Sequence, residues 1–249
     1  GNEVVIEEFM EGEEASVIVV TDGNSYVMLP SSQDHKRVND NDEGLNTGGM
    51  GAYAPAPVVT DELLSRVETD IIIPTLNGMA REGCPYRGFL YAGLMVSAGR
   101  PKVVEFNCRL GDPETQVILP VYPGDFLELI EAAMESRLSG FETEEPRDNA
   151  AIVILAAAGY PGSYEKGKEI MGLDSPDLPD SVHVIHAGTK RENEKLITAG
   201  GRVLGLVGQG EDLQAAIDMA YRAAEIVHFE SAHYRRDIGK KGLAKLERV

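Results

Sequence analysis

Short apolar runs separated by Gly, Asp and Asn open the chain, and their β-branched content predicts strands rather than helices. Val4 to Phe9 reads as one strand and Ala15 to Thr21 as a second. Asp22-Gly23-Asn24 then makes a hairpin turn into a third strand at Tyr26 to Leu29. From Thr60 to Glu82 the period changes. Leu63, Leu64, Val67, Ile71 and Ile72 recur at helical spacing behind an N-capping Thr60, and Pro74 is expected to break or kink the helix. Gly88 to Ser97 and Lys102 to Arg109 predict a hairpin around Ala98-Gly99-Arg100-Pro101, which sets Tyr91 and Glu105 on neighbouring strands. Asp125 to Leu138 predicts an amphipathic helix with Phe126, Leu127, Leu129, Ile130 and Met134 apolar.

The acidic stretch from Ser139 to Asn149, with Gly140 and Pro146, marks a composition shift and divides the chain into 1–143 and 144–249. Beyond it, Ala150 to Ala157, Val182 to Ala187 and Arg202 to Val207 predict strands, and Leu213 to Val227 an Ala-rich helix. The expected fold class is α+β: an antiparallel sheet with helices, followed by a small α+β domain. No acid–base or metal grouping stands out in the second part. His183, His186, His228 and His233 are isolated, and the basic run Tyr234 to Lys241 reads as a solvated terminus.

Charge narrows the partners. In 249 residues, 23 Lys and Arg stand against 41 Asp and Glu, a formal charge of −18, which argues against nucleic acid or an anionic membrane as partner. An anionic small molecule remains compatible if a cleft gathers positive charge. Cys84 and Cys108 have no Cys-x-x-Cys spacing, so a reducing, cytoplasmic setting without a zinc site is expected. The longest uncharged run, 149–164, is too short to span a bilayer, and no signal peptide is visible.

The chemistry concentrates in Val103 to Thr115. A strand has period two, so Glu105, Asn107 and Arg109 share one face while Val104, Phe106 and Cys108 take the other. Glu and Asn oxygens are hard ligands that Mg²⁺ accepts beside substrate phosphates, and Arg offers a fixed cation. Spacing alone leaves a solvated strand face equally open. The following Gly-Asp-Pro-Glu-Thr turns the chain back and returns Asp112 and Glu114 towards the same end. His35-Lys36-Arg37 is the densest positive cluster before the tail, either an exposed loop or a means of holding phosphate. Gly48, Gly49, Met50 and Gly51 form a shaped loop closed by Pro55 and Pro57; it is neither a Walker A loop nor G-x-G-x-x-G. Glu11 to Glu14 around Gly12 is either a solvated turn or a hinge reading a purine edge, with Glu14 on ribose hydroxyls.

Six motifs in order carry a family resemblance: Glu-Glu-Phe-Met-Glu-Gly-Glu-Glu (7–14), Ser-Gln-Asp-His-Lys-Arg (32–37), Asn-Thr-Gly-Gly-Met-Gly (46–51), Gly-Phe-Leu-Tyr-Ala-Gly (88–93), Glu-Phe-Asn-Cys-Arg-Leu-Gly-Asp-Pro-Glu (105–114) and Arg-Arg-Asp-Ile-Gly (235–239). Together they resemble the glycinamide ribonucleotide synthetases, or phosphoribosylamine–glycine ligases, of the ATP-grasp superfamily. The resemblance implies ATP with Mg²⁺, or Mn²⁺ in its place, and glycine and 5-phosphoribosylamine as substrates in purine synthesis. It implies Glu105 and Asn107 as metal ligands and Arg109 as the cation at the transferred phosphoryl group. Glu7, Glu8 and Phe9 would lie at an adenine hinge with Glu14 on the ribose. His35, Lys36, the Gly48 to Gly51 loop, Asp112 and Glu114 would line the phosphate and substrate region.

The family also carries an N-terminal domain and the front of the ATP-grasp module ahead of the hinge strand, whereas this sequence starts with Gly1-Asn2 and a strand pattern. The reading is therefore of a C-terminal part, expected to need the missing segment in cis or trans and to lack ligase activity alone. Two rivals stand beside it: an ATP-grasp ligase activating another carboxylate, and a non-catalytic half acting as a binding or scaffold subunit that binds ATP with Mg²⁺ only together with the missing N-terminal partner.

Overall fold

The computed structural model describes residues 3–247. Its strands and helices run β1 (Glu13–Thr21), β2 (Tyr26–Met28), β3 (Gln33–Asp34), β4 (Arg37–Asn39), β5 (Glu43–Asn46), β6 (Gly51–Ala54), α1 (Asp61–Val67), α2 (Ile73–Arg81), β7 (Gly88–Ser97), β8 (Arg100–Asn107), α3 (Thr115–Val121), α4 (Phe126–Met134), β9 (Asn149–Ala156), β10 (His183–His186), β11 (Thr189–Glu192), β12 (Lys195–Thr198), β13 (Arg202–Gly210), α5 (Leu213–Ile226) and α6 (Lys240–Leu246). Two antiparallel sheets carry the site, ordered β2-β1-β7-β8 and β10-β13-β9-β6-β3. The fold is thus α+β, as the hydrophobic pattern predicts.

β1 shows why the first sheet forms. Its even- and odd-numbered residues serve different cores: Val17 and Val19 pack with Leu63, Val67 and Leu94, whereas Ile18 and Val20 pack with Val117, Ile118 and Leu129. Burial on both faces needs the continuous run Val17-Ile18-Val19-Val20, and each such side chain contributes roughly 1.5–3 kcal/mol. A third core joins Val153, Leu155, Leu204 and Leu206 of β9 and β13 to Ala220 and Ala223 of α5. The acidic coil at 139–148 links the parts, yet β6 pairs with β9 across it, so the expected sections 1–143 and 144–249 share a sheet.

Several expectations are corrected. Val4 to Phe9 is no strand: among the described residues it pairs with no strand of either sheet, and Val4, Ile6 and Phe9 stay exposed. Pro74 does not break its helix, which runs on through it, but the turn ahead of it departs from α geometry. A π-turn at Glu68–Ile72 widens the coil just ahead of it, relieving the clash between the proline ring and the preceding carbonyls. Thr60 does cap α1, accepting from the Leu63 N–H at 3.3 Å. The Asp125 helix ends at Met134, and Leu127 and Met134 face solvent. α3, with Pro120 inside it, and the β11–β12 hairpin escaped prediction. On β8, an edge strand, Val104 and Phe106 remain partly exposed instead of forming a covered face. The opening Gly1-Asn2 lies outside the described residues. Among the described residues, no helix is long and apolar enough to cross a membrane.

Candidate active site

The β7–β8 hairpin turns through Ala98 and Gly99, both at positive φ, and its register sets Gly93 opposite Glu105 and Tyr91 opposite Asn107. An irregularity follows at once: Leu94 faces Val103, so Val104 is the extra residue of a bulge. Gly93 leaves room for Glu105, because a Cβ there would sit 3.3 Å from the Glu105 side chain. Glu105 and Asn107 then meet, the Asn107 Nδ2 donating to Glu105 Oε1 at 3.1 Å. Arg109 lies just past the strand's end, where its Nη1 donates to the Leu110 carbonyl at 3.0 Å. All three nonetheless line one cavity of about 150 Å³, with Lys36, Thr47, Gly48, Tyr91, Asp112 and Glu114 around it.

Two acids that the sequence reading treated alike behave differently. Glu114 is 4 % exposed and anchored, accepting from Tyr91 Oη at 2.8 Å and Ser16 Oγ at 3.4 Å. Asp112 is exposed and paired with Arg202 at 2.7 Å. Lys36 reaches the cavity while holding Glu14 at 2.8 Å. Burial pulls its ammonium down, but the Asp34 and Glu14 carboxylates outweigh this and hold it above the usual lysine value. Asp34 also lines the cavity. Burial and the Glu114 carboxylate push its carboxyl up to about 7, against the pull of Lys36.

Other candidates lie elsewhere. His35 is buried against Tyr53, with neither ring nitrogen hydrogen-bonded among the described residues; burial and nearby Arg235 drive it down to about 4. It is a buried core residue and does not line the Glu105 cavity. Met50 is fully buried and Gly51 pairs in β6, where a Cβ would strike the Ile152 carbonyl. Of Gly48 to Gly51 only Gly48 lines the cavity; Gly49 lies beside it, its carbonyl also held by Arg202. Glu8 and Phe9 line a separate cleft with Met95 and Lys102, where Glu8 pairs with Lys102 at 2.6 Å; Glu7 is exposed. That cleft shares no lining residue with the Glu105 cavity.

The donor set fits a hard divalent cation. Glu105 and Asn107 present two converging oxygen-bearing side chains, and among the described residues no group of three or more His, Cys, Asp or Glu is placed to cage a metal. Mg²⁺ commonly takes one or two protein ligands and completes its shell with water and substrate phosphate. Lys36 and Arg109 supply fixed positive charge in a protein that is otherwise strongly acidic.

Three residues absent from the sequence reading shape this region. Asp34 gave no signal beyond its place beside His35 and Lys36. Arg202 and Tyr160 come from the second part of the chain and reach the Gly48–Gly49 loop over 154 and 112 positions, beyond any local pattern.

The chain matches the family model described as "Phosphoribosylglycinamide synthetase, ATP-grasp (A) domain" over residues 1–115, and the model "Phosphoribosylglycinamide synthetase, C domain" over residues 150–241. It is 49% identical over 245 residues to a phosphoribosylamine–glycine ligase of Leptospira interrogans, covering 98% of this chain and 57% of that protein. A Pseudomonas aeruginosa protein of the same name is 51% identical over 247 residues, again with 57% of it covered. The chain thus spans a little over half the length of the curated relatives it matches. The crystal structure of phosphoribosylamine–glycine ligase from Thermotoga maritima superposes with a TM-score of 0.81 at 43% identity, covering 93% of this chain and 56% of that one. The Kluyveromyces lactis urea carboxylase shares the fold alone, at a TM-score of 0.63 and 11% identity.

Proposed function

The chain belongs to the phosphoribosylglycinamide synthetase family, and from that membership we propose that it forms the phosphoryl-transfer part of a phosphoribosylamine–glycine ligase. Residues 1–143 would be the ATP-grasp portion and 144–249 the C-terminal domain, a division of sequence across a shared sheet. The observation that carries this reading is the convergence of Glu105, Asn107, Arg109 and Lys36 on one small cavity beside Gly48.

Glycine's carboxylate is a poor electrophile. Its oxygen attacks the γ-phosphorus of ATP, ADP departs, and a glycyl phosphate results. The amine of 5-phosphoribosylamine then attacks the acyl carbon, phosphate leaves, and glycinamide ribonucleotide forms. Arg109 and Lys36 offset the charge gathering on the transferred group, and Glu105 with Asn107 would hold Mg²⁺ or Mn²⁺. The bound cation would draw electron density from the phosphoryl oxygens. Glu14, fixed by Lys36, would accept from the ribose, and Gly48 and Asp112 of the cavity wall, with Gly49 next to them, would face the substrate. Glu7 to Phe9 keep their assignment to the adenine side, reached from the exposed segment ahead of β1.

Calorimetric titration of the chain with Mg·ATP tests this. A metal-dependent heat is expected, weakened at least about tenfold in Glu105→Ala and in Asn107→Ala. Equal heats with and without Mg²⁺, or unchanged binding in both variants, overturn the assignment.

A further inference from the structure

We infer that Arg202 is a positioning residue of this cavity: it holds the Gly48–Gly49 loop and the Asp112 turn together and turns their negative ends away from an anionic ligand. The inference rests on the phosphate-handling reading above. Arg202 opens β13 at a register irregularity, and its own carbonyl accepts from the Gly188 N–H at 2.9 Å, so its backbone is fixed. Its side chain is only 19% exposed. From there Nη1 donates to the Gly48 carbonyl at 2.7 Å, the Asp112 carbonyl at 3.1 Å and the Gly49 carbonyl at 3.4 Å, while Nη2 donates to Asp112 Oδ2 at 2.7 Å. Tyr160 secures the loop from the same side, its hydroxyl accepting from the Gly48 N–H at 3.0 Å. Gly49, at φ +105°, is pressed so close to Pro113 that a Cβ would collide with the ring.

Four negative groups are thereby engaged by one guanidinium. Asp112 and Gly48 both border the cavity, which already contains Asp34, Glu105 and Glu114. Phosphate in such a place meets repulsion unless the surplus is neutralised, and only a planar fork can reach three carbonyls and a carboxylate together. Lysine in this place would keep the charge and lose the fork.

The test compares wild type, Arg202→Gln, Arg202→Lys and Asp112→Asn/Arg202→Gln in two measurements on the chain. Amide hydrogen exchange at Gly48 to Met50 is expected to quicken at least tenfold in Arg202→Gln and less in Arg202→Lys. Affinity for Mg·ATP, by calorimetry, is expected to fall about tenfold in Arg202→Gln, with partial recovery in Arg202→Lys and in the double variant. Thr60→Ala controls for stability, since it removes a helix cap remote from the cavity and is expected to leave affinity unchanged. A folded Arg202→Gln protein with wild-type exchange and wild-type affinity overturns the inference, as does an equal affinity loss in Thr60→Ala. If wild type shows no metal-dependent nucleotide binding, the ligand side falls with the functional reading, while the exchange data separately decide whether Arg202 holds the loop.

Discussion

Asp34 and His35 are adjacent in sequence yet respond to pH in opposite ways. Asp34 lines the cavity with its carboxyl raised to about 7, so between pH 4 and 7 the folded chain binds more protons than the unfolded one and stability falls as pH rises. His35 is buried with its ring lowered to about 4, so between pH 4 and 6.5 the unfolded chain binds more protons and stability rises with pH. Each effect is on the order of a few kcal/mol, and in the wild-type protein the two oppose one another. Asp34→Asn should therefore expose the histidine slope, lifting the melting temperature at pH 7.5 more than at pH 4.5. His35→Phe should expose the aspartate slope, its stability relative to wild type being greater at pH 4.5 than at pH 7.5. Thermal melts of both variants across this range check the pair; parallel pH profiles for wild type and the two variants defeat the argument. The sequence made the cluster conspicuous without separating its members. A strand–loop junction sends successive residues to opposite sides, and at Gln33–Asp34 the strand is too short for its phase to be read from periodicity.

At the scale of elements, the long patterned segments were legible and the joints were not. The β1 run, the β7–β8 hairpin and the Leu213 helix follow directly from spacing, because each buries a face long enough to set a period. The π-turn before Pro74 was hidden, since the sequence shows the offending ring but not the widened coil that accommodates it. Helix α5 also approaches β13 more closely than its Ala content reveals. A Cβ on Gly208 would run into the Ala216 carbonyl and the Ala220 N–H, and one on Gly210 into Ala215. Gly208→Ala should thus cost about 2–4 kcal/mol, by forcing helix and sheet apart across the third core. Asp212→Ala provides the comparison: it removes a cap that accepts the Ala215 N–H at 2.7 Å and should cost only about 1 kcal/mol. Urea denaturation ranks the two; a Gly208→Ala loss no larger than that of the cap would mean the helix can retreat freely.

Across the whole molecule, contacts between distant segments decide what the local pattern cannot. The tail that reads as a solvated basic terminus contains Arg235, whose side chain is fully buried. Its Nε and Nη2 donate to the two Asp237 oxygens at 2.8 and 2.7 Å, and Nη1 reaches Asp42 at 3.0 Å and the Arg37 carbonyl at 3.1 Å. Burial alone would raise the Asp237 carboxyl, but the guanidinium overrides it and holds the acid near 2. The knot fixes the β4–β5 hairpin, which begins one residue after Lys36, and so couples the end of the chain to the cavity. The local motif Arg235-Arg236-Asp237 shows the nearer half of this knot but not its reach to Asp42 and Arg37, which are 193 and 198 positions away. Truncating one partner of a buried pair leaves the others charged and unmatched, so Arg235→Gln should cost about 3–5 kcal/mol. Asp237→Asn added to it should cost less than the sum of the two single changes, since one unmatched charge is removed. A double-mutant cycle in urea measures both. Strict additivity, or an Arg235→Gln cost below about 1 kcal/mol, would make the tail a loose terminus after all and cut its connection to Lys36.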